Sequence, residues 1–220
     1  MRDCCGRPQR NGRCNLAILT LVYGQSGTGK STSLRNLPHD KTAVINVSGK
    51  PLPFRNPMKT AKTDNYSQIT AFIKKEDAPP IIVIDDFTYL MTDEFMRNAK
   101  VQGYQKFTDL ALNVFNLMKE CIALPEDKTI YLLGHSELDA NGNEKFKTIG
   151  KLLDEKVTLE GLCTNVLKTV VKDGKYYFST HNSGMDTVKT PMAMFEEDYI
   201  DNDLYEVDKK IRAYWMMPEV

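Results

Sequence analysis

From Leu16 onward, nearly continuous apolar runs alternate with stretches whose apolar residues recur every three to four positions. The first run, Ala17-Ile18-Leu19-Thr20-Leu21-Val22-Tyr23, is the pattern of a strand buried on both faces. Ala43 to Val47, Ile81 to Ile84 and Thr129 to Leu133 share that character. Between them, a short helix opens at Lys30 and is stopped by Pro38, and Ser67 to Glu76 carries Ile69, Phe72 and Ile73 at helical spacing. The longest helical signal covers residues 104–123, where Phe107, Leu110, Ala111, Val114, Phe115, Met118, Cys121 and Ile122 form one stripe. Glu137 to Thr148 is polar, holds an Asn141-Gly142 turn signal and reads as a mobile loop. Val166 to Val171 and Lys175 to Thr180, joined by Asp173-Gly174, read as a β-hairpin. The alternation predicts an α/β fold: a mainly parallel sheet flanked by helices, with a C-terminal β-hairpin extension.

The chain has 220 residues, enough for one domain over residues 16–220 preceded by a flexible tail, 1–15. Its 29 basic and 29 acidic side chains cancel, which excludes a globally basic nucleic-acid binder and leaves only local patches for that role. No apolar run approaches the roughly 20 residues of a membrane span, and the Arg-rich tail lacks the apolar core of a secretory signal. A soluble protein of a cytoplasmic compartment is expected, with no membrane partner. Of the five cysteines, Cys121 and Cys163 sit in apolar surroundings. Cys4, Cys5 and Cys14 have no fourth ligand at zinc-finger spacing, which favours an open tail over a metal site.

Candidate chemistry concentrates after the first strand. Gly24-Gln25-Ser26-Gly27-Thr28-Gly29-Lys30-Ser31 satisfies the phosphate-binding signature G-x-x-x-x-G-K-[ST], between a buried strand and a helix. Glycines let successive backbone N–H groups face a phosphate, Lys30 reaches the β- and γ-phosphates, and the Ser31 hydroxyl ligates Mg²⁺. Thr32 follows within the same loop-helix junction. Asp85, at the end of Ile81-Ile82-Val83-Ile84, supplies the second, Walker B carboxylate for Mg²⁺. Asp86 polarises the attacking water or caps the helix beginning at Phe87. His135, where the fourth strand ends, is placed to sense the γ-phosphate and report to the loop beyond it. The chain lacks an ABC-type LSGGQ signature, an Asp-Glu pair after the Asp85 strand and the arginine-rich lid of nucleotide kinases.

With Asn46-Val47-Ser48-Gly49-Lys50-Pro51-Leu52-Pro53-Phe54, Gly134-His135-Ser136, Thr148-Ile149-Gly150-Lys151, Asn182 to Pro191 and Ile200 to Leu204, these motifs resemble phage-encoded RecA-like ATPases of the Sak-type single-strand annealing group. The resemblance covers about residues 17–215. It implies a RecA-like P-loop core using ATP and Mg²⁺, DNA-dependent ATP hydrolysis, and single-stranded DNA binding in annealing and recombination of phage DNA. It further implies a homo-oligomer, ring or filament, and a single-strand-binding protein as a further partner. Lys30, Ser31 and Thr32 would hold phosphates and Mg²⁺, Asp85 would be the Walker B residue, and Lys189 resembles lysines that enter a neighbour's ATP site. The chain departs from RecA-like enzymes at the end of the second strand. Where they carry a catalytic glutamate, this chain reads Val47-Ser48-Gly49-Lys50, so the expectation is either slow hydrolysis or use of Asp86 or Glu137 as the base.

Lys145, Lys147 and Lys151, with Phe146 between two of them, nominate the loop from Glu137 to Lys151 as the DNA contact, its Phe stacking on a base. A solvated loop has the same composition. The seven acids from Glu196 to Asp208 read as solvated surface. Two alternatives carry the same phosphate motif: a P-loop kinase for a nucleoside or small metabolite, and a non-hydrolysing nucleotide switch.

Overall fold

A computed structural model describes residues 16–55 and 58–220. The tail and its Cys4, Cys5 and Cys14 lie outside the described residues. A nine-stranded mixed sheet runs in the order β3-β2-β4-β5-β1-β7-β8-β9, with β6 paired to β5 alone. β1 (Ile18–Gly24), β2 (Thr42–Asn46), β3 (Lys59–Lys62), β4 (Ile81–Asp85), β5 (Thr129–Leu138) and β7 (Asn165–Lys172) are mutually parallel. β8 (Lys175–Ser179) and β9 (Tyr199–Asp201) complete the sheet antiparallel. The expected hairpin is present, but its first arm belongs to the parallel set, so the antiparallel extension begins only at β8.

The central strands are apolar at almost every position because both faces are covered. Leu21, Ile82, Ile84 and Leu132 point into one core with α1 (Tyr66–Ile73), α2 (Thr88–Arg97) and α3 (Gln105–Ile122). Val22, Val83, Tyr131 and Leu133 point into a second core with Leu34, Leu37 and α5 (Leu204–Trp215). Of the α3 stripe, Leu110, Ala111, Val114, Met118 and Cys121 are buried, while Phe107, Phe115 and Ile122 are half-buried at its margins and Leu117, outside the predicted stripe, is buried with it. Each fully buried Leu or Val contributes about 1.5–3 kcal/mol. Caps fix the helix starts, with Asn65 accepting from the Gln68 N–H and Asp203 from the Tyr205 N–H.

Three segments differ from their sequence pattern. The helix after Lys30 is a six-residue 3-10 turn, Ser31–Asn36. Ser33 Oγ donates to the Lys30 carbonyl at 2.6 Å, the local competition that hydroxyl residues offer a regular helix. The stretch from Glu137 to Thr148 is not an open loop. β5 continues through Leu138 and pairs with β6 (Glu144–Phe146), and Asp139 accepts from the Asn141 and Asn143 N–H groups at 2.8 Å to close the turn.

The acidic run is the third. Leu204, Val207 and Ile211 form an apolar stripe on α5, and Asp208 is completely buried. Asp208 accepts from Thr129 Oγ1 and Tyr131 Oη at 2.7 Å and from Arg212 Nε at 2.6 Å. Arg212 also donates to the Asp127, Pro218 and Pro80 carbonyls, so the buried pair is fully satisfied and clamps α5 to the start of β5. Breaking such a pair strands a charge in the interior. We expect Arg212→Met to cost about 3–5 kcal/mol in urea unfolding. Glu206→Gln, which removes the exposed Lys209 pair, should leave the unfolding midpoint nearly unchanged.

Candidate functional site

Parallel strands covered on both faces end together, and their C-terminal ends open a cavity of about 420 Å³. Gly24 closes β1 level with His135 on β5, while Asn46 closes β2 level with Asp85 on β4. β5 thus separates the glycine-rich loop from the Asp85 strand and carries His135 between them. Among the sequence-nominated residues, Ser26, Gly27, Gly29, Lys30, Ser31, Thr32, Asp85, Asp86 and His135 all line this cavity.

The loop from Gly24 to Lys30 is curled tightly. Gly27 and Gly29 take φ of +81° and +93°, a left-handed backbone that glycine adopts without strain. Lys30 Nζ donates to the Gly24 carbonyl at 2.8 Å and the Gln25 carbonyl at 2.7 Å, closing the loop on itself. Thr28 turns away from the cavity, its hydroxyl donating to the Gln25 carbonyl at 2.7 Å and meeting Thr169 Oγ1 on β7 at 2.5 Å. Behind Gly29 stand Asn202 and Tyr176. The buried Asn202 carboxamide has no hydrogen-bond partner, while its backbone carbonyl accepts from Arg35 Nη1 at 2.6 Å and Asp203 accepts from Asn36 at 2.5 Å. The C-terminal segment therefore braces the glycine loop, which no local pattern announced.

Electrostatically the site is a buried cation among carboxylates. Burial pushes the Lys30 ammonium down to about 8, against the opposing pull of Asp86 and Asp85. Burial also raises Asp85 to about 6, helped by the neighbouring Asp86 charge and opposed by the Ser31 hydrogen bond. Ser31 Oγ donates to Asp85 Oδ1 at 3.0 Å. One hydroxyl and one carboxylate at this separation fit a Mg²⁺ ion whose other ligands are phosphate oxygens and water. A dication would also relieve the cost of keeping Asp85 ionised in this setting.

Asp86 is not the helix cap. α2 starts at Thr88 with no side-chain cap, and Asp86 sits at φ +59° with its carboxylate 3.9 Å from His135 Nε2. Burial and the nearby Lys30 lower the His135 pKa, so its imidazole is neutral at pH 7. Tyr89 meets the His135 ring edge-on at 5.7 Å, and Lys50 Nζ stands 5.1 Å over the Tyr89 ring. Asn46, Ser48 and Lys50, from the segment that departs from RecA-like enzymes, also line the cavity, as does Tyr89, which no sequence pattern singled out. Glu137 pairs with Lys145 on the β5–β6 ribbon and does not line the cavity. Lys189 is also outside it: its backbone bridges Val166 and its ammonium lies 3.5 Å from the Gly161 carbonyl.

The nominated DNA tip is altered. Phe146 is buried, so it cannot stack on a base, and Lys145 is engaged by Glu137 and Asp154. Lys147 remains exposed, with its backbone N–H on the His135 carbonyl at 2.9 Å. A larger cavity of about 850 Å³ lies at the opposite end of the strands but holds none of the nominated residues. The cations Lys128 and Arg212 in its wall are occupied by backbone carbonyls. No protein-family model matches the chain, and no curated protein matches it.

The raised Asp85 pKa has a definite sign. Between about pH 4 and pH 6 the folded chain holds a proton that the unfolded chain has released, so stability falls as pH rises through that window. Asp85→Asn keeps the shape without the charge. It should raise stability by about 2 kcal/mol at pH 8, and thermal melts should show the gain shrinking toward zero near pH 4.

Proposed function

We propose that this chain is a RecA-like ATPase that binds ATP and Mg²⁺, assembles with copies of itself and engages single-stranded DNA in annealing or recombination of phage DNA. The observation that carries the nucleotide part is the convergence, at the ends of adjacent parallel strands, of the curled glycine loop with Lys30, the Ser31–Asp85 pair and the Asp86–His135 pair. In this reading the loop amides and Lys30 hold the phosphate chain, and Ser31 and Asp85 hold Mg²⁺. The ion would neutralise developing charge on the phosphate oxygens. Asp86, with no glutamate at the end of β2, orients the attacking water, and neutral His135 contacts the terminal phosphate and passes its state to the β5–β6 ribbon. The absence of arginine among the described residues lining the cavity favours this reading over a small-molecule kinase. Lys189, outside its own chain's cavity, is left to a neighbour's site.

For DNA, the segment from Met96 to Thr108 offers what the ribbon does not. It has Lys100 and Lys106, no acid, and a Tyr104 that is 88% exposed, while its Arg97 is paired with Asp64. Gly150 packs against Phe107, which brings the backbone next to Lys151 close to this segment. An exposed aromatic ring among lysines suits a stacked base and its flanking phosphates.

Calorimetry with ATP and Mg²⁺ tests the first part. Lys30→Ala should weaken binding by about ten- to a hundredfold, and affinity within twofold of the unmodified chain would defeat the assignment. Anisotropy of a labelled oligonucleotide tests the second. Tyr104→Ala should cost about 1–3 kcal/mol with an unchanged salt slope, whereas replacing Lys100 and Lys106 by Ala should flatten that slope.

A further inference from the structure

The segment after β2 occupies the position where the nucleotide site lacks its expected acid, and its construction is specific. Asn46, almost fully buried, accepts from the Gly49 N–H at 2.7 Å and donates to the Lys50 carbonyl at 2.6 Å. Gly49 takes φ +68°, with the stem of Lys62 packed against it. On the other side of Lys50, Leu52 and Phe54 pack against the second core, and Pro51 and Pro53 stiffen the chain where they line the cavity. The backbone around Lys50 is therefore pinned on both flanks, while the Lys50 side chain stays exposed and forms no ion pair among the described residues.

That side chain projects over Tyr89, whose ring touches His135, which in turn faces Asp86. Lys30 and Lys50 thus stand in different walls of one cavity, Lys30 bound to its own loop and opposed by two carboxylates, Lys50 without a carboxylate. A diphosphate held by the glycine loop would satisfy Lys30. A third phosphate in the same cavity would add negative charge, and Lys50 is the cation lining it that, among the described residues, neither its own loop nor a carboxylate engages.

We propose that Lys50 is a specificity-determining residue that contacts the terminal phosphate and makes the site prefer a nucleoside triphosphate to a diphosphate. This rests on the nucleotide-binding reading given above. The Asn46 clamp is its positioning device, and the Tyr89 face is the rest from which the ammonium reaches the phosphate. The contact replaces a water-accelerating acid with a phosphate-holding cation, which favours a long-lived triphosphate state over rapid turnover.

The test is calorimetric titration of the full chain with ADP·Mg²⁺ and, separately, with the non-hydrolysable triphosphate AMP-PNP·Mg²⁺. The unmodified chain should bind AMP-PNP more tightly than ADP. Lys50→Met should lose about ten- to a hundredfold in AMP-PNP affinity and keep its ADP affinity within about twofold. Lys50→Arg should retain the preference, because it keeps the charge. Retained ADP binding also shows that the Lys50→Met chain is folded and its loop intact. An unchanged AMP-PNP to ADP ratio in Lys50→Met overturns the proposal, as does an equal loss of both ligands, which would make Lys50 a structural support. Binding of neither ligand by the unmodified chain overturns the nucleotide reading itself, a different result from ADP binding without discrimination.

Discussion

A sheet whose parallel strands are buried on both faces has almost nowhere to put a polar side chain except at the strand ends. β1, β2, β4 and β5 obey that restriction, nearly all apolar where they are stacked, with Gly24, Asn46 and Asp85 at their ends and His135 where the pairing of β5 with β1 stops. The register brings Gly24 level with His135 and Asn46 level with Asp85, the two pairs offset by about two residues, so groups far apart in sequence share a cavity without any loop having to carry them there. Chemistry collects at this edge because the core rejects it everywhere else.

The same restriction governs the charges. Lys30 and Asp85 are held where water is scarce, each at a cost visible in a pKa moved toward neutrality. Their arrangement is poised for a partner that brings both negative and positive charge, which a phosphate chain with its divalent ion does. The buried Asp208–Arg212 pair at the other end of the sheet is opposite in kind. Its donors and acceptors are met within the protein, so it serves to hold α5 and offers nothing to a ligand.

Much of this was legible because burial writes itself into local pattern. The four apolar runs became strands, the stripe from Leu110 to Cys121 became a helix face, and the glycine-rich loop and Asp85 met as their spacing required. What escaped lacked a local period or carried a misleading one. β3 reads Lys-Thr-Ala-Lys and is exposed throughout, so nothing apolar marks it. The stripe of α5 is masked by acids, one of which is buried by a partner four residues on. Phe146 looks like a loop-tip aromatic, but the two-residue alternation of the β5–β6 ribbon turns it inward. The Asn46 clamp and the Lys50–Tyr89–His135 row are contacts between segments, and no window of sequence contains them.

The brace behind the glycine loop has a consequence for the order in which the molecule can be completed. Arg35 and Asn36 reach across 167 residues to Asn202 and Asp203, and the back of Gly29 rests on Asn202. During synthesis from the N-terminus the loop emerges well before its support, which lies 167 residues further along the chain. Contacts of such separation carry a large closure entropy and form late in folding. The site therefore sets only after residues 202 and 203 have been made, so a shorter nascent chain has the motif without the rigid cradle.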